Sequence, residues 1–149
     1  MLFHCINQDC NTDFIVPNRD LDPNQPSAGC PSCKTINRVE PLVALCSQPS
    51  CGKKFRYYDF LFADRKPVVS CPHCNALNNL AIRFVALINT EEEFKELLKT
   101  RQSRCGNQEC RKVMQYQEIM LDLVNPLVTC PHCKSINRIK IKSLNYSGL

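Results

Sequence analysis

The chain has 149 residues, a formal charge of +5, twelve cysteines and no tryptophan. No run approaches the roughly eighteen apolar residues of a membrane span, and Met1-Leu2-Phe3-His4-Cys5 shows no basic segment leading into an apolar stretch, so neither a membrane helix nor a secretory signal is expected. The length would suit one ordinary domain, but the cysteines divide it differently.

The first quartet is Cys5, Cys10, Cys30 and Cys33, a C-x4-C turn and a C-P-x-C turn separated by nineteen residues. Between them Phe14-Ile15-Val16 reads as a short strand, followed by a polar, proline-studded loop from 17 to 29 that predicts the loosest of the units. Residues 39–45 read as a further extended run. The same spacing returns with Cys46, Cys51, Cys71 and Cys74. Here residues 55–63 are rich in aromatics, 64–67 predict a turn, Val68-Val69 resumes an extended run, and 80–88 predicts another.

Residues 89–104 hold the one clear helical pattern. Thr90 and Glu93 form a capping box, and Glu91, Glu92 and Glu93 sit at the positive end of the helix dipole. Phe94, Leu97, Leu98 and Arg101 fall at helical spacing, giving one narrow stripe that serves either as a spacer packed on a neighbouring unit or as a docking face. The third quartet is Cys105, Cys110, Cys130 and Cys133; strands are expected over 114–123 and 127–129, with an Asn125-Pro126 turn between them, and over 139–142.

The three quartets use every cysteine. Inside each, the C-P-x-C turn is followed by an apolar residue and an asparagine: Ile36-Asn37, Leu77-Asn78 and Ile136-Asn137. Such repetition implies one backbone used three times. The constant nineteen-residue gap pairs the turns within each unit, since the gaps between units differ.

Four thiolates in two short turns are what tetrahedral Zn²⁺ requires of a structural site. Units of about forty residues are too small to fold on apolar burial alone, and a metal is the expected staple. Its binding, roughly 10–16 kcal/mol in zinc-finger peptides, is folding free energy where no site is preformed. Three Zn²⁺ per chain are therefore expected, with thiols kept reduced in an intracellular compartment, cytoplasmic or nuclear. Proline at Pro31, Pro72 and Pro131 presets φ for the bend, and backbone N–H groups in the turn stabilise the sulfurs. His73 and His132 lie inside knuckles and His4 beside Cys5, each next to a complete set of four sulfurs, and are read as non-ligands.

The pattern resembles the zinc ribbons, a broad group, over nearly the whole chain apart from the helical segment. That resemblance implies a small, metal-stabilised, mostly β fold: three tandem zinc ribbons, over 1–45, 46–88 and 105–149, with one α-helix in the linker 89–104. Many ribbons have Gly directly after the second knuckle; Lys34, Asn75 and Lys134 stand there in this chain. Rubredoxins also use four cysteines, for iron, but resemble C-x2-C at both turns. Cys130-Pro131-His132-Cys133 with Asn137-Arg138 is similar to the zinc segment of some bacterial thioredoxins, without a thioredoxin domain beside it. The C-x4-C and C-P-x-C pair is also similar to the first site of in-between-RING fingers; the second half of that motif is missing, so ubiquitin transfer is not implied.

A tetrathiolate zinc carries −2, so three sites bring the formal +5 to −1, and global basicity gives no argument for nucleic acid. Local charge does: with zinc the units stand at −4, +2 and +1. Lys53, Lys54, Arg56 and Tyr57 interleave cations with aromatics, as single-stranded nucleic acid requires. Lys134, Arg138, Lys140 and Lys142 offer a second basic face. Four cysteines close the metal shell, and no nucleophile or paired-carboxylate motif appears, so no catalysis and no small-molecule substrate are expected. The sequence supports a nucleic-acid-binding accessory working through the second and third ribbons, with a protein-docking adaptor or structural subunit as the alternative.

Overall fold

A computed structural model of the chain describes residues 1–62 and 66–142. The expected turn over 64–67 lies partly outside these residues, as does the end of the third unit beyond 142. Among the described residues the chain is mostly β, built from six two-stranded antiparallel hairpins, with one helix of more than a single turn.

Each module consists of two hairpins. In the first, β1 (Leu2–His4) pairs with β2 (Asp13–Ile15), and β3 (Ser27–Gly29) with β4 (Ile36–Arg38). In the second, β5 (Leu42–Leu45) pairs with β6 (Lys54–Tyr57), and β7 (Val68–Ser70) with β8 (Leu77–Asn79). After α1 (Phe84–Leu87) and α2 (Glu91–Leu98) the scheme returns. Here β9 (Thr100–Arg104) pairs with β10 (Val113–Gln117), and β11 (Leu127–Thr129) with β12 (Ile136–Arg138). Residues 42–45, inside the segment 1–45, thus pair forward with β6, and residues 100–104, inside 89–104, pair forward with β10.

Several expected elements differ: the strand expected over 114–123 ends at Gln117, where the turn Glu118–Met120 begins, and residues 139–142 form no strand. The run 80–88 forms no strand: β8 ends at Asn79 and the chain turns into α1 at Phe84. Phe84, Ala86, Leu87 and Ile88 are all buried, and the helical turn lets neighbouring apolar side chains, Ala86 and Leu87 with Ile88 just after, enter a core that a strand would show only alternately. Helix α2 stops at Leu98, so Arg101 is not on its stripe; it lies on β9 opposite Tyr116 and pairs with Glu96. The cap is as expected, Thr90 Oγ1 accepting from Glu93 N–H at 3.2 Å. Glu93 Oε2 accepts in turn from Asn89 N–H at 2.8 Å, one residue earlier than a standard box.

The modules do not stand apart. One core takes Phe3, Leu21 and Val39 from the first, Phe60, Ile82 and Phe84 from the second, Leu97 from α2, and Met114, Leu121 and Ile139 from the third. A smaller cluster under the second module joins Phe55, Tyr57 and Leu80 to Cys46 and Cys71. This corrects the expectation that metal coordination takes the place of a hydrophobic interior. Units too small to bury enough apolar surface singly do so jointly.

The first module is anchored in the same way despite its polar loop. Leu21 is buried, and Asn18 Nδ2 donates to the Ala86 carbonyl at 2.7 Å. Asn18 occupies the position, thirteen residues after the first cysteine, that Asp59 and Glu118 take in the other modules. Asp59 accepts from Arg83 at its backbone N–H (2.8 Å), Nε (3.0 Å) and guanidinium (2.9 Å), and Glu118 accepts from Lys142 N–H at 2.8 Å. Each module therefore plants one polar side chain where its chain leaves the first hairpin and ties it to a later segment.

Candidate metal centre

The turn geometry follows from a few backbone bonds. In the second module Cys46 N–H bonds Lys53 O and Cys51 N–H bonds Gln48 O, closing the first knuckle; Cys71 N–H bonds Ala76 O and Asn75 N–H bonds Cys71 O, closing the second. The residue after each knuckle turns left-handed. Asn11, Gly52 and Arg111 have φ of 48°, 53° and 45°, and Lys34, Asn75 and Lys134 have 64°, 61° and 64°. Lysine at these last sites holds a conformation that glycine adopts without penalty.

The repeated asparagine joins the two knuckles. Asn37, Asn78 and Asn137 are buried, and their Oδ1 atoms accept from the N–H of Ile6, Ser47 and Gly106 at 2.8, 2.7 and 2.7 Å. Their Nδ2 atoms donate to Thr35, Ala76 and Ser135 carbonyls at 2.9, 2.8 and 2.9 Å. The first link fixes the residue that follows the first cysteine; the second fixes the residue two places after the last. One amide therefore ties the first knuckle to the second in each module.

Within each quartet all four sulfurs lie within 4.8 Å of one another. Cys5–Cys33, Cys46–Cys74 and Cys105–Cys133 are 3.5, 3.5 and 3.6 Å apart; Cys10–Cys30, Cys51–Cys71 and Cys110–Cys130 are 3.7, 3.9 and 3.8 Å. Sulfurs about 2.3 Å from a central ion define a tetrahedron with edges of about 3.8 Å. A disulfide needs about 2.05 Å, and all twelve cysteines are free. Each quartet closes within its own module, and each can hold one metal ion.

The sulfurs are electrostatically unequal. The Thr35 hydroxyl and backbone draw Cys33 down to about 6, and Ser135 does the same for Cys133, also to about 6. Burial pushes Cys5 up to about 12. Without a cation the first quartet does not ionise fully, because a buried thiolate beside other thiolates is unfavourable; a divalent ion removes that obstacle.

The basic candidates are dispersed. Lys53, Lys54 and Arg56 are exposed, as are Lys134, Arg138, Lys140 and Lys142, while Ile139, between Arg138 and Lys140, is buried. Tyr57 is a correction: it is buried, its ring stacks on Phe62 at 5.8 Å, and its hydroxyl donates to the Ala81 carbonyl at 3.1 Å, so it offers no face to a base. His4 pairs with Asp13 at 2.6 Å and His73 Nε2 lies 3.3 Å from the Lys54 carbonyl; neither belongs to a quartet.

The sequence reading missed the outer face of β5–β6 and, of a second surface, the side that β1–β2 lends to the α2 stripe. On the outer face of β5–β6, Val43 stands opposite Arg56 and Leu45 opposite Lys54. Val43 and Leu45 are 60% and 62% exposed. Val43 also borders a groove of about 580 Å³ with Leu42, Phe84 and Met120, the last 79% exposed. The signal was available, since Leu42-Val43-Ala44-Leu45 is apolar at every position and a two-stranded sheet can bury only one face. A second groove, of about 720 Å³, lies between β1–β2 and α2, where Phe14 and Ile15 face Phe94 and Leu98. The α2 stripe is thus divided: Leu97 enters the core, and Phe94 and Leu98 line this groove.

Comparison of the chain with protein-family models, curated proteins and solved structures returned no match. Among the described residues no helix is long and apolar enough to cross a membrane.

Proposed function

We propose that the chain is a non-enzymatic docking protein whose three modules are zinc ribbons, each with one structural Zn²⁺. The all-sulfur donor set supports zinc; elemental analysis of purified protein should return three zinc ions per chain, and iron in their place would reject this assignment. The closed four-sulfur shell leaves no open coordination position and supports a structural metal rather than a catalytic one.

The observation that carries docking is the outer face of β5–β6, where exposed Val43 and Leu45 stand across from Arg56 and Lys54. The equivalent pairs on β1–β2 are Leu2–Ile15 and His4–Asp13, and on β9–β10 Gln102–Gln115 and Arg104–Val113. Only the second module sets two aliphatic residues against two cations. The complementary partner is a protein segment carrying aliphatic and carboxylate side chains, which buries the first pair and neutralises the second.

The test uses immobilised ten-residue peptides alternating Leu with Glu, Leu with Lys, or Ser with Glu. The Leu–Glu peptide should bind best, Val43→Ser with Leu45→Ser should abolish binding, and Lys54→Glu with Arg56→Glu should transfer preference to Leu–Lys. Equal binding of all three peptides would reject the reading.

Nucleic acid is the second reading, favoured by the exposure of Lys53, Lys54, Arg56, Lys134, Arg138, Lys140 and Lys142. Against it, every phenylalanine and tyrosine among the described residues is buried or half-buried, which leaves little open ring face for base stacking. Binding to generic single- and double-stranded oligonucleotides at two salt concentrations separates the two: a steep loss with salt reports phosphate contacts and displaces the docking reading.

A further inference from the structure

Three centres on one backbone form an internal comparison in which only the side chains vary. In the first, the Thr12 hydroxyl lies 3.2 Å from Cys10 Sγ and the Thr35 hydroxyl 3.2 Å from Cys33 Sγ. In the third, Lys112 replaces the first of these threonines, and the Ser135 hydroxyl lies 3.2 Å from Cys133 Sγ. Asn107 Nδ2 donates to that hydroxyl oxygen at 3.2 Å, and once Cys133 is a metal-bound thiolate with no proton to give, the hydroxyl is the only partner of the pair that can donate. In the second, Lys53 and Ala76 occupy the two places, so neither can supply a hydroxyl.

The second centre also holds the single exposed cysteine of the twelve. Cys74 is open to solvent, whereas its counterparts Cys33 and Cys133 are half-buried. A thiolate that accepts fewer hydrogen bonds keeps more electron density on sulfur, and donors around a metal ligand tune both its charge and its hold on the ion. In a zinc-loaded centre every ligand is already a thiolate, so what separates one cysteine from another toward electrophiles is the electron density left on sulfur and its access to solvent. Hydroxyl count and exposure both single out the same atom.

We propose that Cys74 Sγ is the electrophile-reactive ligand of this protein and that the second centre is the first to open. The fitting reagents are soft carbon electrophiles such as α,β-unsaturated carbonyls. The sulfur lone pair forms a carbon–sulfur bond to the alkene, the π pair moves to the neighbouring carbon, and that carbon takes a proton from water. The thioether formed is uncharged and a weak donor, so Cys46, Cys51 and Cys71 are left with a three-thiolate site. The proposal assumes that the quartets carry metal and is independent of what the β5–β6 face binds.

The test is alkylation of the zinc-loaded full chain with substoichiometric N-ethylmaleimide, mapped by peptide mass spectrometry, with released zinc followed by a chromogenic chelator. Cys74 should react first, about tenfold faster than Cys33 or Cys133, roughly the factor that one hydrogen bond to a charged group represents. Ala76→Ser supplies the hydroxyl that the third module already tolerates and should slow Cys74 by about the same factor. Ser135→Ala should accelerate Cys133 correspondingly. Modification that begins at Cys33 or Cys133, or an Ala76→Ser protein that reacts as fast as the native one, overturns the proposal.

Discussion

At the scale of single residues, the centres depend on groups that never touch the metal. Asn37, Asn78 and Asn137 each receive one backbone N–H from the first knuckle and return a bond to the second, and no other residue type of that size offers both a donor and an acceptor on one planar head. Replacing Asn78 by Ala leaves Ser47 N–H without its acceptor, and a buried unsatisfied donor costs about 1–3 kcal/mol. Equilibrium denaturation of the metal-loaded variant should show that loss; an unchanged midpoint would mean that the metal alone sets the knuckle spacing. The recurrence of this asparagine was plain in the sequence, and its role was not, because the N–H it satisfies lies thirty-one residues away.

At the scale of elements, α2 joins the modules rather than separating them. Its N-terminus is capped by Thr90, and its Leu97 is 1% exposed among residues contributed by all three modules. Leu97→Ala should cost about 2–5 kcal/mol, the range for truncating a buried leucine. The loss should appear as a lower midpoint for the whole molecule, read by far-UV circular dichroism with zinc present. A loss confined to one module would contradict the shared core. The cap was legible because it depends on residues three apart in sequence; α1 was not, because the apolar run 80–88 suits a strand equally well until a three-sided core requires consecutive side chains to be buried.

At the scale of the whole molecule, three quartets that can each hold a metal ion share one core. The thiols must be ionised to bind, so loading at neutral pH releases protons, Cys5 in particular standing at about 12 in the metal-free centre. Affinity therefore falls as pH falls and protons compete for sulfur. Chelation at pH 7 should remove metal, weaken the strand signal and expose the shared core to a hydrophobic dye in one transition, and the chelator concentration required should decrease as the pH is lowered. Three separate transitions would show modules that fold independently. Retention of full structure after chelation would show that the core suffices without metal.

The sequence by itself determined the ligand sets, their pairing within modules, the repeated backbone and the capped helix. Those features depend on spacings of a few residues, or on a gap held constant three times. Only the tertiary structure decided that the modules share an interior, that Tyr57 belongs to it, and that Val43 and Leu45 remain outside. Burial is a property of what packs opposite a side chain, and here the partners of Phe3, Phe84 and Met114 come from modules up to a hundred residues apart. Local pattern places a residue on a face of its element; which face meets another element is settled only when all of them assemble.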